Sequence, residues 1–232
     1  SPFSGGALLG DRVRMQDHAT DDGVFIRSMA SRGHLGGLSS AVPQALRVLD
    51  AAGCDVIIIE TVGVGQAEVD IASLADTTVV LLAPGMGDGI QAAKAGILEI
   101  ADIFVVNKAD RDGADQVVRD LRYMQSLGGR HSVPGAWRPS IVKTVASRGE
   151  GIGELRAALG KHREWMIRHG ELDRRRIARA AAEIEAIAVA AVRDRITAVH
   201  GSAALSASAA RVVAGETDPY TAASDLVAAL AN

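Results

Sequence analysis

Short apolar runs rich in β-branched residues alternate with helical stretches along residues 1–170, and this alternation restricts the fold more than any other feature. Val56-Ile57-Ile58-Ile59 within residues 55–60, then residues 78–83 and Ile103–Val106, are apolar nearly throughout, and residues 140–145 carry Ile141, Val142 and Val145. A strand with one face in water alternates apolar and polar residues. A continuous apolar run is expected where both faces are covered. Residues 24–29 form a further candidate strand. Helices are expected over residues 41–52, 91–101, 114–127 and 153–169. Strands of this kind separated by helices predict an α/β fold, a mostly parallel sheet with helices on both faces. Ligands of such sheets bind beyond the carboxyl ends of the strands. Glu60, Gly85, Asn107 and Ala146 all fall at or just past those ends.

From about Glu171 the pattern changes. No strand signal follows, and Ile177, Ile184, Ile187, Val192, Ile196 and Val199 give a helical stripe among charged residues. Gly201-Ser202 breaks that helix. Asp218-Pro219 then reads as an N-cap and first-turn proline for a last helix ending near Leu230. The expected division is residues 1–170 as one α/β domain and 171–232 as a helical appendage. The appendage is either a dimerisation arm or a helical group packed on its own domain.

Composition narrows the function classes. Aromatic residues make up 3% of a chain that is 48% hydrophobic, so the core is expected to be aliphatic. A net charge of −3 over 232 residues argues against a general nucleic-acid or anionic-membrane surface. The single cysteine, Cys54, forms no internal disulfide and reads as a small core residue. The apolar runs are too short to span a bilayer, and no signal peptide opens the chain, so the expected location is the cytoplasm. The six histidines have no zinc-ligand spacing, and neither H-E-x-x-H nor a nucleophile elbow occurs.

Asn107-Lys108-Ala109-Asp110 follows the apolar run Ile103–Val106, an expected buried strand. An N-K-x-D at a strand's carboxyl end is a guanine-selecting signal. The carboxylate of Asp110 can accept hydrogen bonds from the ring N–H and exocyclic amine of guanine. Adenine has no such donor pair and leaves the carboxylate unpaired, which discriminates strongly. Asn107 can bond the imidazole side of the base, and the Lys108 stem can lie along it. Small residues at Val145-Ala146-Ser147 would let a backbone N–H reach the guanine carbonyl oxygen.

Glu60-Thr61-Val62-Gly63-Val64-Gly65-Gln66 is the second motif. A carboxylate ending a strand can hold Mg²⁺ or orient an attacking water, and glycines after it let backbone approach a phosphate. The same pattern also fits a tight strand-to-helix turn. Asp11, in a glycine-rich loop, is a metal ligand or a loop-stabilising carboxylate. Asp21 and Asp22 are site residues or turn caps. Pro84-Gly85-Met86-Gly87-Asp88-Gly89, with Lys94 beyond it, is a switch loop or an ordinary turn.

Taken together, Gly10-Asp11-Arg12, Glu60–Gln66, residues 84–89 and Asn107–Asp110 resemble the MeaB/ArgK group of SIMIBI-class P-loop GTPases, whose human member is the methylmalonic aciduria type A protein. The resemblance covers essentially the whole chain, tail included. It implies a P-loop NTPase fold and a Mg²⁺-dependent, GTP- and GDP-binding chaperone for adenosylcobalamin-dependent methylmalonyl-CoA mutase. Such a protein gates cofactor loading, protects the mutase and binds no cobalamin itself. It implies a homodimer through the C-terminal helices. By motif, Asp11, Asp21 and Glu60 become the Mg²⁺ and catalytic-water carboxylates, Gln66 a second-switch residue and Lys94 a contributor to GTPase activation. Asn107, Lys108, Ala109 and Asp110 become the guanine reader, with Val145, Ala146 and Ser147 beside it.

The departure from the family pattern is a phosphate loop. No G-x-x-x-x-G-K-[S/T] occurs in these residues. That loop supplies the backbone N–H groups, lysine and Mg²⁺-binding hydroxyl that hold the phosphates. The chain is therefore expected to be a fragment whose phosphate loop lies upstream of Ser1. The alternatives are a non-hydrolysing mutase-binding scaffold and a metallochaperone-type GTPase, which tends to carry metal-binding histidines or cysteines.

Overall fold

The computed structural model describes residues 15–18, 20–29, 41–61, 67–85, 97–127, 135–199 and 203–230. The chain divides into two compact units, Ser1–Arg175 and Arg176–Asn232.

The first unit is built on a parallel three-stranded sheet of β1 (Val79–Leu82), β2 (Ile103–Val106) and β3 (Ser140–Lys143), in that order. The strands pair without offset, Val79 opposite Ile103 and Ile103 opposite Ser140. All four residues of the central β2 are buried, as an unbroken apolar run requires when both faces are covered. Its side chains alternate between two cores. Phe104 and Val106 pack with Ala114, Val117, Val118 and Leu121 of the helix Ala114–Leu127. Ile103 and Val105 pack with Ala158, Leu155 and Leu159 of the helix Ile152–Arg168. The spacing of the Ala114–Leu127 contacts is the i, i+3, i+4, i+7 stripe of a helix that buries one face. Burial of each such Val, Leu, Ile or Phe side chain stabilises the fold by roughly 1.5–3 kcal/mol. The helices are numbered in chain order: α1 (Val42–Ala51), α2 (Ala67–Leu74), α3 (Ile97–Ile100), α4 (Ala114–Leu127), α5 (Ile152–Arg168), α6 (Glu171–Val199), α7 (Ala203–Val213) and α8 (Pro219–Leu230).

At the amino-terminal end of β2, Asp102 organises a polar cluster. Its carboxylate accepts two hydrogen bonds from Arg175, both at 2.9 Å, and one from the Thr78 backbone N–H at 2.8 Å. Arg175 also donates to the Asp76 carbonyl at 3.0 Å, so the first turns of α6 are fastened to the base of the sheet. The hydrogen bonds that Arg175 donates to Asp102 hold the guanidinium more firmly protonated than usual. His162 of α5 is fully buried beside this pair. Its Nδ1 lies 2.9 Å from Thr77 Oγ1, and Trp137 covers its ring with centroids 4.7 Å apart. Trp137 in turn donates its indole N–H to the Asp102 carbonyl at 2.8 Å.

Two expected strands are absent. Residues 24–29 run without strand pairing. Residues 55–60 do too, and Val56 and Ile58 are 77% and 86% exposed rather than buried. Composition marks a segment as suited to a buried strand, but the strand exists only when another backbone supplies its ladder. Among the described residues none does. Of the helix expected over residues 91–101, residues 97–101 lie within the described residues, and Ile97–Ile100 are helical. The expected break at Gly201-Ser202 lies outside them.

In the second unit α7 and α8 pack on each other, with Ala222 buried. Asp218 caps α8 as expected, accepting hydrogen bonds from the backbone N–H groups of Tyr220 at 2.9 Å and Thr221 at 3.1 Å. Along α6, Ile177, Ile184, Ile187 and Val192 of the apolar stripe are each more than half exposed.

Candidate nucleotide-base site

The carboxyl end of the sheet is closed by a set of crossed hydrogen bonds. Asn107 continues β2 by one residue, its N–H donating to the Leu82 carbonyl at 2.8 Å. Thr144 continues β3, its N–H donating to the Val106 carbonyl at 2.9 Å and its own carbonyl accepting from Ala109 N–H at 3.0 Å. Between these ties the chain turns sharply at Lys108, whose φ of +56° lies in the left-handed region. A non-glycine residue there costs on the order of 1 kcal/mol, and such strain concentrates at functional sites.

Asn107 joins the two loops. Its Oδ1 accepts from Thr144 Oγ1 at 3.1 Å and from the Ala146 backbone N–H at 3.2 Å. A backbone N–H can only donate, so the atom facing Ala146 is the side-chain oxygen, and the amide NH₂ is left as a donor. Val145 N–H bonds the Glu150 carbonyl at 3.0 Å. Of the backbone N–H groups of Val145, Ala146 and Ser147, one of which is expected to reach a ligand, those of Val145 and Ala146 are thus engaged within the protein. That of Ser147 is left.

Residues Ala146–Arg148 form one 3₁₀ turn, closed by Gly149 at φ +71°. Gly151 then opens α5 at φ +77°, and a Cβ there would stand 2.1 Å from the Lys143 carbonyl oxygen. Only glycine lets the backbone pass that close to β3, so Gly151 fixes how the 145–150 loop returns to the sheet.

These elements enclose a pocket of about 230 Å³, lined by Ala109, Asp110, Lys143, Thr144, Val145, Arg148 and Glu150. Asp110 is partly exposed within it. Lys143 is paired at 2.8 Å with Asp115 of α4, a hydrogen bond that holds the Asp115 carboxyl below the usual carboxylate range. Arg148 faces two carboxylates, Glu150 with Nε at 2.8 Å and Asp110 with Nη1 at 3.6 Å. Thr144, Arg148 and Glu150 carry no motif of their own in the sequence. Only the folded return of the loop brings them to Asn107 and Asp110.

The remaining expected residues stand apart from this corner. Asp21 is exposed and accepts a hydrogen bond from Gly23 N–H at 2.9 Å, as a turn cap does. Glu60 is exposed, and neither residue lines the pocket. Asp11, Gln66 and Lys94 lie outside the described residues. Carboxylates are the oxygen donors Mg²⁺ takes. Among the described residues no three His, Cys, Asp or Glu side chains converge.

Residues 1–201 match the family model described as methylmalonyl Co-A mutase-associated GTPase MeaB. The chain belongs to the MeaB family. A Pyrococcus abyssi protein with a provisional GTPase name is 50% identical over 223 residues, covering 96% of this chain and 69% of its own. The GTPase ArgK of Escherichia coli is 39% identical over 156 residues, covering 67% and 47%. The mouse methylmalonic aciduria type A homolog, mitochondrial, is 37% identical over 174 residues, covering 75% and 42%. The chain thus spans over two thirds of the archaeal relative and under half of the other two. A crystal structure titled LAO/AO transport system kinase superposes with a TM-score of 0.61 at 23% identity, covering 94% of this chain and 69% of that one. That likeness supports the α/β fold of P-loop nucleotide hydrolases. As a MeaB-family member, the chain is that of a GTPase related to methylmalonyl-CoA mutase-associated proteins. Among the described residues no helix is long and apolar enough to cross a membrane.

Proposed function

We propose that the protein carrying this chain is a Mg²⁺-dependent, cytoplasmic GTPase chaperone that gates adenosylcobalamin loading of methylmalonyl-CoA mutase and protects that enzyme. The observation that carries the nucleotide half is the Asn107–Asp110 turn, braced through Asn107 to Thr144 and Ala146 beside the pocket that Asp110 lines. In this reading Asp110 receives the guanine N1–H and amine, and Asn107 offers its amide NH₂ to the imidazole side. Lys108 lies along the base, and Ser147 N–H meets the carbonyl oxygen. Positioning is done by backbone ties, so the site is set before the base arrives.

The phosphate loop that hydrolysis requires is not among these 232 residues, so the proposal concerns the full-length protein. Asp11, Asp21 and Glu60 are proposed as its Mg²⁺ and water-positioning carboxylates, and Gln66 and Lys94 as switch residues. The family name and the mouse relative support the mutase as partner. Residues 1–170 are proposed as the nucleotide domain and 171–232 as the dimerisation arm. The exposed isoleucine stripe of α6 supports the arm, since apolar patches on this scale mark contact surfaces.

The test is GTP turnover by the full-length protein with and without an adenosylcobalamin-dependent methylmalonyl-CoA mutase. Turnover is expected to rise on adding the mutase, with a complex visible by light scattering and the free protein a dimer. Unchanged turnover with no complex would contradict the chaperone reading, and a monomer at micromolar concentration would remove the dimer.

A further inference from the structure

The guanidinium of Arg148 stands between two carboxylates of the pocket. Nε lies 2.8 Å and Nη2 3.4 Å from the Glu150 oxygens, while Nη1 lies 3.6 Å from Asp110 Oδ2. Arg148 ends the 3₁₀ turn that begins at Ala146, the residue tied to Asn107, so its backbone is fixed to the base-reading corner. Its side chain is 53% exposed.

The chemistry of this contact matches that of the proposed ligand. Guanine's N1–H and exocyclic amine are two parallel N–H donors on one carbon, and a guanidinium can present the same pair to a carboxylate; here Nε and Nη2 present it to Glu150, and Asp110 is met by Nη1 alone. A carboxylate shaped to read one accepts the other. We propose that Arg148 is a stand-in for guanine. It neutralises Asp110 while the base is absent and withdraws wholly to Glu150 when the base binds. Glu150 is the parking place that makes withdrawal cheap, because the guanidinium leaves one carboxylate without losing its closest partner. This role rests on the reading of Asp110 as the guanine acceptor. It makes Arg148 a competitor that loosens guanine nucleotides and so favours exchange of product for substrate. Exposed ion pairs are weak, so the competition amounts to a few-fold in affinity.

The experiment measures GDP and XDP dissociation constants for the full-length protein and for Arg148→Gln, Glu150→Gln, Asp110→Asn and Asp110→Asn/Arg148→Gln, with thermal melts confirming equal folding. Arg148→Gln is expected to tighten GDP about two- to fivefold. Glu150→Gln is expected to weaken it by a similar factor, since Arg148 then turns to Asp110. In the Asp110→Asn background the arginine has no carboxylate to cover, so Arg148→Gln should change XDP affinity by less than about 1.5-fold. Unchanged or weaker GDP binding by Arg148→Gln, in a protein whose Asp110→Asn variant turns to XDP, overturns the role of Arg148 alone. An Asp110→Asn variant that keeps the GDP preference overturns the guanine reading beneath it.

Discussion

Gly151 shows how much one atom controls at the base corner. Any Cβ at this position meets the Lys143 carbonyl oxygen at 2.1 Å, and the φ of +77° adds backbone strain for an L side chain. Relief requires the 145–150 loop to move off β3, which breaks the Ala146 tie to Asn107 and displaces Arg148 and Glu150. Gly151→Ala is therefore expected to lower stability by about 2 kcal/mol or more and to weaken guanine nucleotide binding at least tenfold. Urea unfolding and nucleotide titration check both. A variant of unchanged affinity would mean that the loop is not held by this close approach. At this scale the sequence was legible where one side chain carries a recognisable chemistry, as Asn107 and Asp110 do. It was silent on Arg148, whose relevance depends on a loop path and not on a motif. Asp21 was open between a site residue and a turn cap; its carboxylate accepts a hydrogen bond from Gly23 N–H, and its site role is a proposal.

At the scale of elements, β2 was legible because four consecutive buried apolar residues leave little alternative. Residues 55–60 have the same composition and no ladder. Their exposure shows that a pattern reports what a segment would tolerate, not what it pairs with. The Asp102 cluster was not legible either. Asp102, His162 and Arg175 are far apart in sequence, and each in isolation reads as an ordinary polar residue. Their assembly makes a pH-dependent contact. Burial pushes the His162 pKa below its ordinary 6.5, against the opposing attraction of Asp102. The Nε2 atom lies 3.4 Å from Asp102 Oδ1 without hydrogen-bond geometry. The folded state therefore binds fewer protons than the unfolded chain just below pH 6.5. The stabilisation is complete above about pH 6.5 and is lost as pH falls from there through the lower folded value. Melting temperatures between pH 7.5 and 5.5 are expected to fall for the parent protein and to flatten for His162→Gln over that window. Equal slopes would show that His162 does not hold a neutral ring in the folded state.

At the scale of the whole molecule, the α/β class followed from continuous apolar runs separated by helical stretches, and the helical character of the tail from its periodic apolar stripe. The family followed from loop motifs placed at strand ends. The boundary of the compact units, after Arg175, lies inside one continuous helix, and no composition change marks a cut within a helix. What unites the molecule functionally is base selection at the sheet's carboxyl end, and nucleotide preference tests it most directly. Binding of GTP and XTP is to be measured for the full-length protein and its Asp110→Asn variant. A carboxylate accepts both guanine donors, whereas an asparagine amide accepts the N1–H and donates to the xanthine carbonyl oxygen. The parent is expected to prefer GTP and the variant XTP, with a reversal of about a hundredfold or more. A variant that binds GTP as tightly as the parent does would contradict guanine recognition by Asp110, and with it the function proposed for this corner.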